Sequence, residues 1–158
     1  MRVLVTGAAG CVGRAVVARL LRGGHAVRAQ WRGRPPASLG LGALAAIGGD
    51  AAATALEWVR ADLARGDLRP LPDGCDAVVH LAALVHRHEV RDDSAYRRQN
   101  HEVTVQLHDA SIAAGVPRGR FAFASTTAVY GRDFGLHADE RTPVRPVTPY
   151  GRWKLEAE

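Results

Sequence analysis

The first apolar stretch, RVLV at residues 2–5, is short and unbroken and runs straight into a glycine-rich segment, which predicts a buried strand. Residues 11–22 then carry Val12, Val16, Val17, Leu20 and Leu21 at helical spacing, and the GGH that follows supplies a glycine C-cap. AVRAQW at 26–31 predicts a second strand. Residues 32–55 are rich in Pro, Gly and Ala and predict a loop with at most a weak helix. LEWVRADL at 56–63 and DAVVHLAA at 76–83 predict the third and fourth strands. The unbroken apolar run of the fourth indicates burial on both faces. A long helix is expected over 95–114, closed by AGVP, then a fifth strand in RFAFAST at 120–126, and a last helix opening at TPYGRWKLEAE.

Strands alternating with helices build βαβ units around a parallel sheet with right-handed crossovers. The expected architecture is a Rossmann-like, doubly wound α/β domain of about five strands in the order 3-2-1-4-5. With 158 residues, no internal repeat and no linker, residues 1–158 are expected to form one domain.

Composition removes several function classes. Hydrophobic residues make up 47% and charged residues 23%, and no apolar run reaches membrane-spanning length. The N-terminus lacks the pattern of an export signal, and two cysteines, Cys11 and Cys75, make no disulfide framework, so a cytoplasmic protein is expected. The net charge of +5 comes from scattered arginines that often neighbour acids, as in RADLARGDLR, without a basic block interleaved with aromatics. This argues against nucleic acid as a partner.

The segment VTGAAGCVG places Gly7, Gly10 and Gly13 between the first strand and the first helix. In such a turn one glycine makes the tight bend, one admits a pyrophosphate to the backbone, and one lets helix pack on strand. The helix N-terminus adds free N–H groups and a partial positive charge. Cys11 and Val12 fall between the last two glycines. The spacing is G-x-x-G-x-x-G rather than G-x-G-x-x-G. The second strand ends without the acid that would hold an NAD ribose and is followed by Arg32 and Arg34. Two readings stay open: an arginine there receives a 2′-phosphate, favouring NADP, or both are solvated loop arginines.

The chain has a single lysine, Lys154, against 20 arginines, and it stands four residues after Tyr150. At that spacing both side chains share a helix face. A phenol is a poor acid or base at neutral pH until a neighbouring cation stabilises its phenolate, and a compact ammonium does so as a point charge, which a flat guanidinium replaces poorly. STTAVYG at 125–131 adds hydroxyl side chains.

TGAAGCVG, ADL at 61–63, HLAA at 80–83, Asn100, STTAVYG and PYGRWKLEAE occur in the order found in extended short-chain dehydrogenases/reductases, which the chain resembles over essentially its full length. That group comprises NAD-dependent epimerases and dehydratases, many acting on nucleotide sugars. The resemblance implies that Gly7, Gly10 and Gly13 cradle a pyrophosphate and that Asp62 and Leu63 lie beside the adenine. It also implies that Leu81, Ala82 and Ala83 pass under the cofactor, and that Asn100 has a structural or relay role unless it is an ordinary helix-surface residue. It assigns Thr126 to orient the substrate, Tyr150 to exchange a proton with it, and Lys154 to hold the nicotinamide ribose and tune Tyr150.

The implied activity is hydride transfer at a hydroxyl-bearing carbon by a nucleotide-sugar epimerase or dehydratase using NAD or NADP. An NADPH-dependent ketone reductase is the alternative that the arginine after the second strand supports. A dinucleotide-binding sensor without catalysis is a third reading, which the retained Tyr150 and Lys154 disfavour. Family members continue into a substrate lobe that this sequence does not contain, so the isolated chain is expected to lack turnover. A homodimer through the helices around the Tyr–Lys motif is one assembly the resemblance allows. His86, His88 and Glu89 are read as a polar loop rather than a metal site, and His80 as a packed strand histidine.

Overall fold

The computed structural model describes residues 1–33, 55–85, 92–132 and 138–158. Strands β1 (Arg2–Thr6), β2 (Ala26–Trp31), β3 (Leu56–Arg60), β4 (Ala77–His80) and β5 (Phe121–Phe123) form one parallel sheet in the order β3-β2-β1-β4-β5. This is the expected order and fold class. Helix α1 (Cys11–Arg22) follows the glycine turn. Short α2 (Asp93–Tyr96), a π-helical segment (Arg97–Glu102) and α3 (Val103–Ala113) form the long helix. A 3₁₀ helix (Thr127–Tyr130) and α4 (Pro149–Leu155) complete the chain.

Helices cover both faces of the sheet because β1 buries both of its own. Val3 and Val5 pack with Val17, Leu21 and Val27 on the α1 side. Leu4 packs with Val78, Leu63, Val103 and Leu107 on the other. Helix α1 stops where expected: Gly24 adopts φ 73°, and the amides of Gly23, Gly24 and His25 return to carbonyls of the last turn.

Three strands are shorter than the apolar runs that announce them, each for a local reason. β3 ends at Arg60 because Asp62 turns the chain, accepting the Ala64 N–H at 3.1 Å through its side chain while its carbonyl takes the Gly66 N–H at 2.8 Å. β4 ends at His80 because the next two amides, Leu81 and Ala82, bond the Thr6 hydroxyl instead of a neighbouring strand, both at 3.2 Å. β5 keeps three residues, and the Ala124 carbonyl accepts the Lys154 ammonium. The long helix begins two residues before the expected start and is interrupted by its π segment. No helix among the described residues is long and apolar enough to cross a membrane.

Candidate functional site

A cavity of about 390 Å³ opens at the carboxyl ends of β1, β2 and β4. The glycine turn forms one wall. Gly7 has φ 65°, a left-handed conformation that suits glycine, and a Cβ there would stand 2.9 Å from the Ala82 backbone nitrogen. A Cβ on Gly13 would collide with the Gly7 carbonyl, so this turn and α1 fit only without side chains. The N-terminus of α1 has no side-chain cap and no acid in its first turn. Its free N–H groups and positive end therefore lie beside Gly10, Cys11, Val12 and Gly13, which line the cavity. Bare backbone donors beside a cavity lined by no carboxylate among the described residues suit the pyrophosphate of a dinucleotide.

Of the residues singled out from sequence, Gly7, Gly10, Cys11, Val12, Gly13, Arg32, Leu63, Leu81, Ala82 and Ala83 line this cavity together. Asp62 does not. It sits behind Leu63 as a turn residue, with Arg32 Nη1 3.6 Å from its carboxylate. Arg32 is more than half exposed, and Trp31 beside it is covered by the Arg60 guanidinium at 5.6 Å. Arg34, His86, His88 and Glu89 lie outside the described residues. Among the described residues no cluster of His, Cys, Asp and Glu could hold a metal ion.

Asn100 is not a helix-surface residue. It is 1% exposed, and its side chain grips the segment after β4 from behind, accepting the Leu84 N–H at 2.8 Å and donating to the Leu84 carbonyl at 3.0 Å. The π segment carries it into this position.

Thr126, Tyr150 and Lys154 stand at the other end of the sheet edge, outside the cavity lining. Thr126 caps the 3₁₀ helix, its hydroxyl accepting the Ala128 N–H at 3.2 Å. Thr148 caps α4 in the same way through Gly151, with Pro149 at the first helical position. α4 docks on the 3₁₀ helix at Gly151, where a Cβ would lie 2.5 Å from the Ala128 carbonyl. This contact sets the Tyr150 helix against the Thr126 segment. The Tyr150 ring meets buried Tyr96 edge-on at 6.4 Å. Lys154 is 3% exposed, with Nζ 3.9 Å from the centre of the Phe123 ring. Burial holds its ammonium down to about 8, and the Glu158 carboxylate pulls weakly the other way.

Sequence reading missed three residues that shape the cavity floor. Gln30, 2% exposed, accepts the Gly7 N–H at 2.9 Å and donates to the Ala61 carbonyl at 2.6 Å, tying the glycine turn to the end of β3. Its signal was a polar residue inside an otherwise apolar strand end. Thr6 is fully buried, and its hydroxyl lies 2.7 Å from His80 Nδ1. Thr104 Oγ1 lies 3.1 Å from His80 Nε2 and donates to the Asn100 carbonyl at 2.8 Å. Burial, and secondarily the Lys154 charge, push the His80 imidazole down to about 4, so it is neutral at physiological pH.

Residues 3–158 match the family model described as the NAD dependent epimerase/dehydratase family. The chain is 33% identical over 166 residues to a UDP-glucose 4-epimerase of Mycolicibacterium smegmatis, covering all of this chain and 49% of that protein. It is 34% identical over 171 residues to a dTDP-glucose 4,6-dehydratase of Streptomyces antibioticus, covering all of this chain and 47% of that one. A crystal structure of UDP-glucose-4-epimerase from Stenotrophomonas maltophila, with bound NAD and formylated UDP-arabinopyranose, superposes with a TM-score of 0.83 at 32% identity. That match covers 98% of this chain and 46% of the other. The chain thus spans about half the length of the relatives it matches.

Proposed function

The chain belongs to the NAD dependent epimerase/dehydratase family, and on that premise we propose that residues 1–158 form the dinucleotide-binding unit of a nucleotide-sugar epimerase or dehydratase. The observation that carries the reading is the uncapped, acid-free N-terminus of α1 opening onto a cavity floored by Gly7 and Leu81–Ala83. Gly10, Cys11, Val12 and Gly13 would hold the pyrophosphate, and Leu63 would pack beside the adenine. When bound, the cofactor supplies the two-electron acceptor and donor.

The chain's own residues would handle the protons. Tyr150 takes the proton of a sugar hydroxyl as that carbon is oxidised, and returns it to the oxygen when the carbon is reduced on its other face. Thr126 donates to or accepts from the same oxygen and fixes its position. Lys154 supplies a positive charge one helical turn from Tyr150. Its burial keeps that charge out of water. α4 supports these roles by carrying Tyr150 and Lys154 one turn apart and by docking on the segment that begins at Thr126.

Arg32 favours NADP. It lines the cavity at the end of β2, where no carboxylate of that strand would repel a 2′-phosphate. The same observation supports a second reading, an NADPH-dependent ketone reductase on this scaffold. Titration of the chain with NADP⁺ and NAD⁺ by calorimetry, beside Arg32→Ala, tests both. NADP⁺ is expected to bind more tightly by about tenfold or more, with the preference lost in the variant. A preference for NAD⁺ would remove the reductase reading and leave Arg32 a bystander. Failure of both to bind would overturn the dinucleotide reading.

A further inference from the structure

The polar groups under the cavity floor form one continuous chain, and their donor capacities determine its direction. Thr6 and His80 are Cα partners in the β1–β4 register, which puts a hydroxyl and an imidazole side by side in the fully buried centre of the sheet. The Asn100 carbonyl can only accept. The single Thr104 hydroxyl proton is therefore committed to it at 2.8 Å, and Thr104 Oγ1 must accept from His80 Nε2 at 3.1 Å. In a neutral imidazole that leaves Nδ1 bare. The Thr6 hydroxyl then donates to Nδ1 at 2.7 Å, and its lone pairs accept the Leu81 and Ala82 N–H groups, both at 3.2 Å. Every donor and acceptor in the chain is used once in its proper sense.

We propose that His80 is a positioning residue, held as the Nε2–H tautomer, which relays the orientation of Thr104 on α3 to the Thr6 hydroxyl and so fixes the Leu81–Ala82 backbone on which the cofactor rests. The inference rests on the dinucleotide reading of the cavity. No other arrangement of the protons satisfies the same distances. A proton on Nδ1 would turn the Thr6 oxygen into the target of three donors and leave its own hydrogen without an acceptor, and a buried donor without a partner is costly. The chain begins and ends on the same segment, because Asn100 also grips Leu84 through both atoms of its amide. Leu81, Ala82, Ala83 and Leu84 are thus held from below by Thr6 at one end and Asn100 at the other. Aligned in one sense, the bonds polarise one another, which stiffens the segment beyond what isolated pairs would do. The aromatic rings of β5 close the site: Phe123 stacks on the imidazole at 5.9 Å and Phe121 lies at 6.2 Å.

The test uses the 158-residue chain labelled with ¹⁵N-histidine. Two-bond ¹H–¹⁵N correlations at neutral pH, without cofactor, are expected to show a protonated Nε2 and a bare Nδ1 for His80. A bare Nε2 would overturn the proposal. Thr104→Val keeps the side-chain shape and removes the acceptor. It is expected to speed amide exchange at Leu81 and Ala82 and to weaken NAD⁺ binding about tenfold, while Thr104→Ser binds like the parent. A lower melting temperature in Thr104→Val with unchanged NAD⁺ affinity and unchanged exchange at those two amides would make the network a packing feature only. If Thr104→Val does not fold, the tautomer and the Thr104→Ser affinity decide the matter. If the parent chain binds neither NADP⁺ nor NAD⁺, the dinucleotide reading falls and the positioning role with it, whereas a wrong tautomer sinks only the relay.

Discussion

The two ends of the sheet hold their residues by different means. At the glycine turn the site is made of backbone. Gly7, Gly10 and Gly13 act through what they lack, and the floor beneath them is locked by buried side chains whose hydrogen bonds are all used. At the Tyr150 end the site is made of side chains on a seven-residue helix. That helix is held by one close approach at Gly151, one cap at Thr148, and the buried Lys154 ammonium against Phe123 and the Ala124 carbonyl. The difference teaches that the proposed binding rests on bare backbone locked in place by the buried sheet, while the proposed chemistry depends on one short helix docking at the sheet edge.

The sharpest way to break this contrast is Gly7→Val. A branched side chain at φ 65° is strained, and its Cβ meets the Ala82 backbone, which the Thr6 hydroxyl holds in place. NAD⁺ affinity is expected to fall by more than about 100-fold in calorimetry, with stability lower by about 3 kcal/mol. Gly151→Val is the matching change at the other end. It drives a side chain into the Ala128 carbonyl and should cost about 2 kcal/mol of stability by thermal unfolding. NAD⁺ affinity should fall by less than about tenfold. Equal losses of affinity in the two variants would erase the distinction.

Lys154 sharpens the comparison through pH. The unfolded chain keeps the lysine proton up to the ordinary 10.5, whereas the folded chain releases it near 8. Between those values the unfolded state binds more protons, so this group makes stability rise with pH across that window, by on the order of 2 kcal/mol. Denaturant unfolding at pH 7.5 and pH 10 is expected to show that rise in the parent and a smaller one in Lys154→Met. Parallel profiles would mean that the ammonium is well solvated. The smallest effect is expected from Arg152→Ala. The Arg152–Asp93 pair joins α4 to α2 at 3.1 Å, but both side chains are about half exposed, so its loss should change stability by less than about 1 kcal/mol.

How far the sequence revealed each region follows the same division. The boundaries of α1 and β2 were legible because apolar spacing and glycine capping are local signals, and both elements occupy the expected residues. The glycine turn was legible for the same reason. β4 was read three residues too long at its far end because nothing near Leu81 and Ala82 says that a hydroxyl 75 residues away captures their amides. The π segment left no mark on an apolar pattern that continues through it, although it buries Asn100. Thr6 and Thr104 were invisible as site residues, and Gln30 showed only as a polar residue at an apolar strand end, because their partners are set by strand register and helix packing. The Tyr150–Lys154 spacing could be read, yet the burial of that lysine against β5 could not, since it depends on where α4 docks.

The most direct measurement of the central claim is amide hydrogen exchange of the chain with and without saturating NAD⁺. The account predicts new protection confined to residues 7–13 and 81–84, with little change at 118–123. Protection centred on the β5 edge, or none at the glycine turn while NAD⁺ is bound, would contradict it.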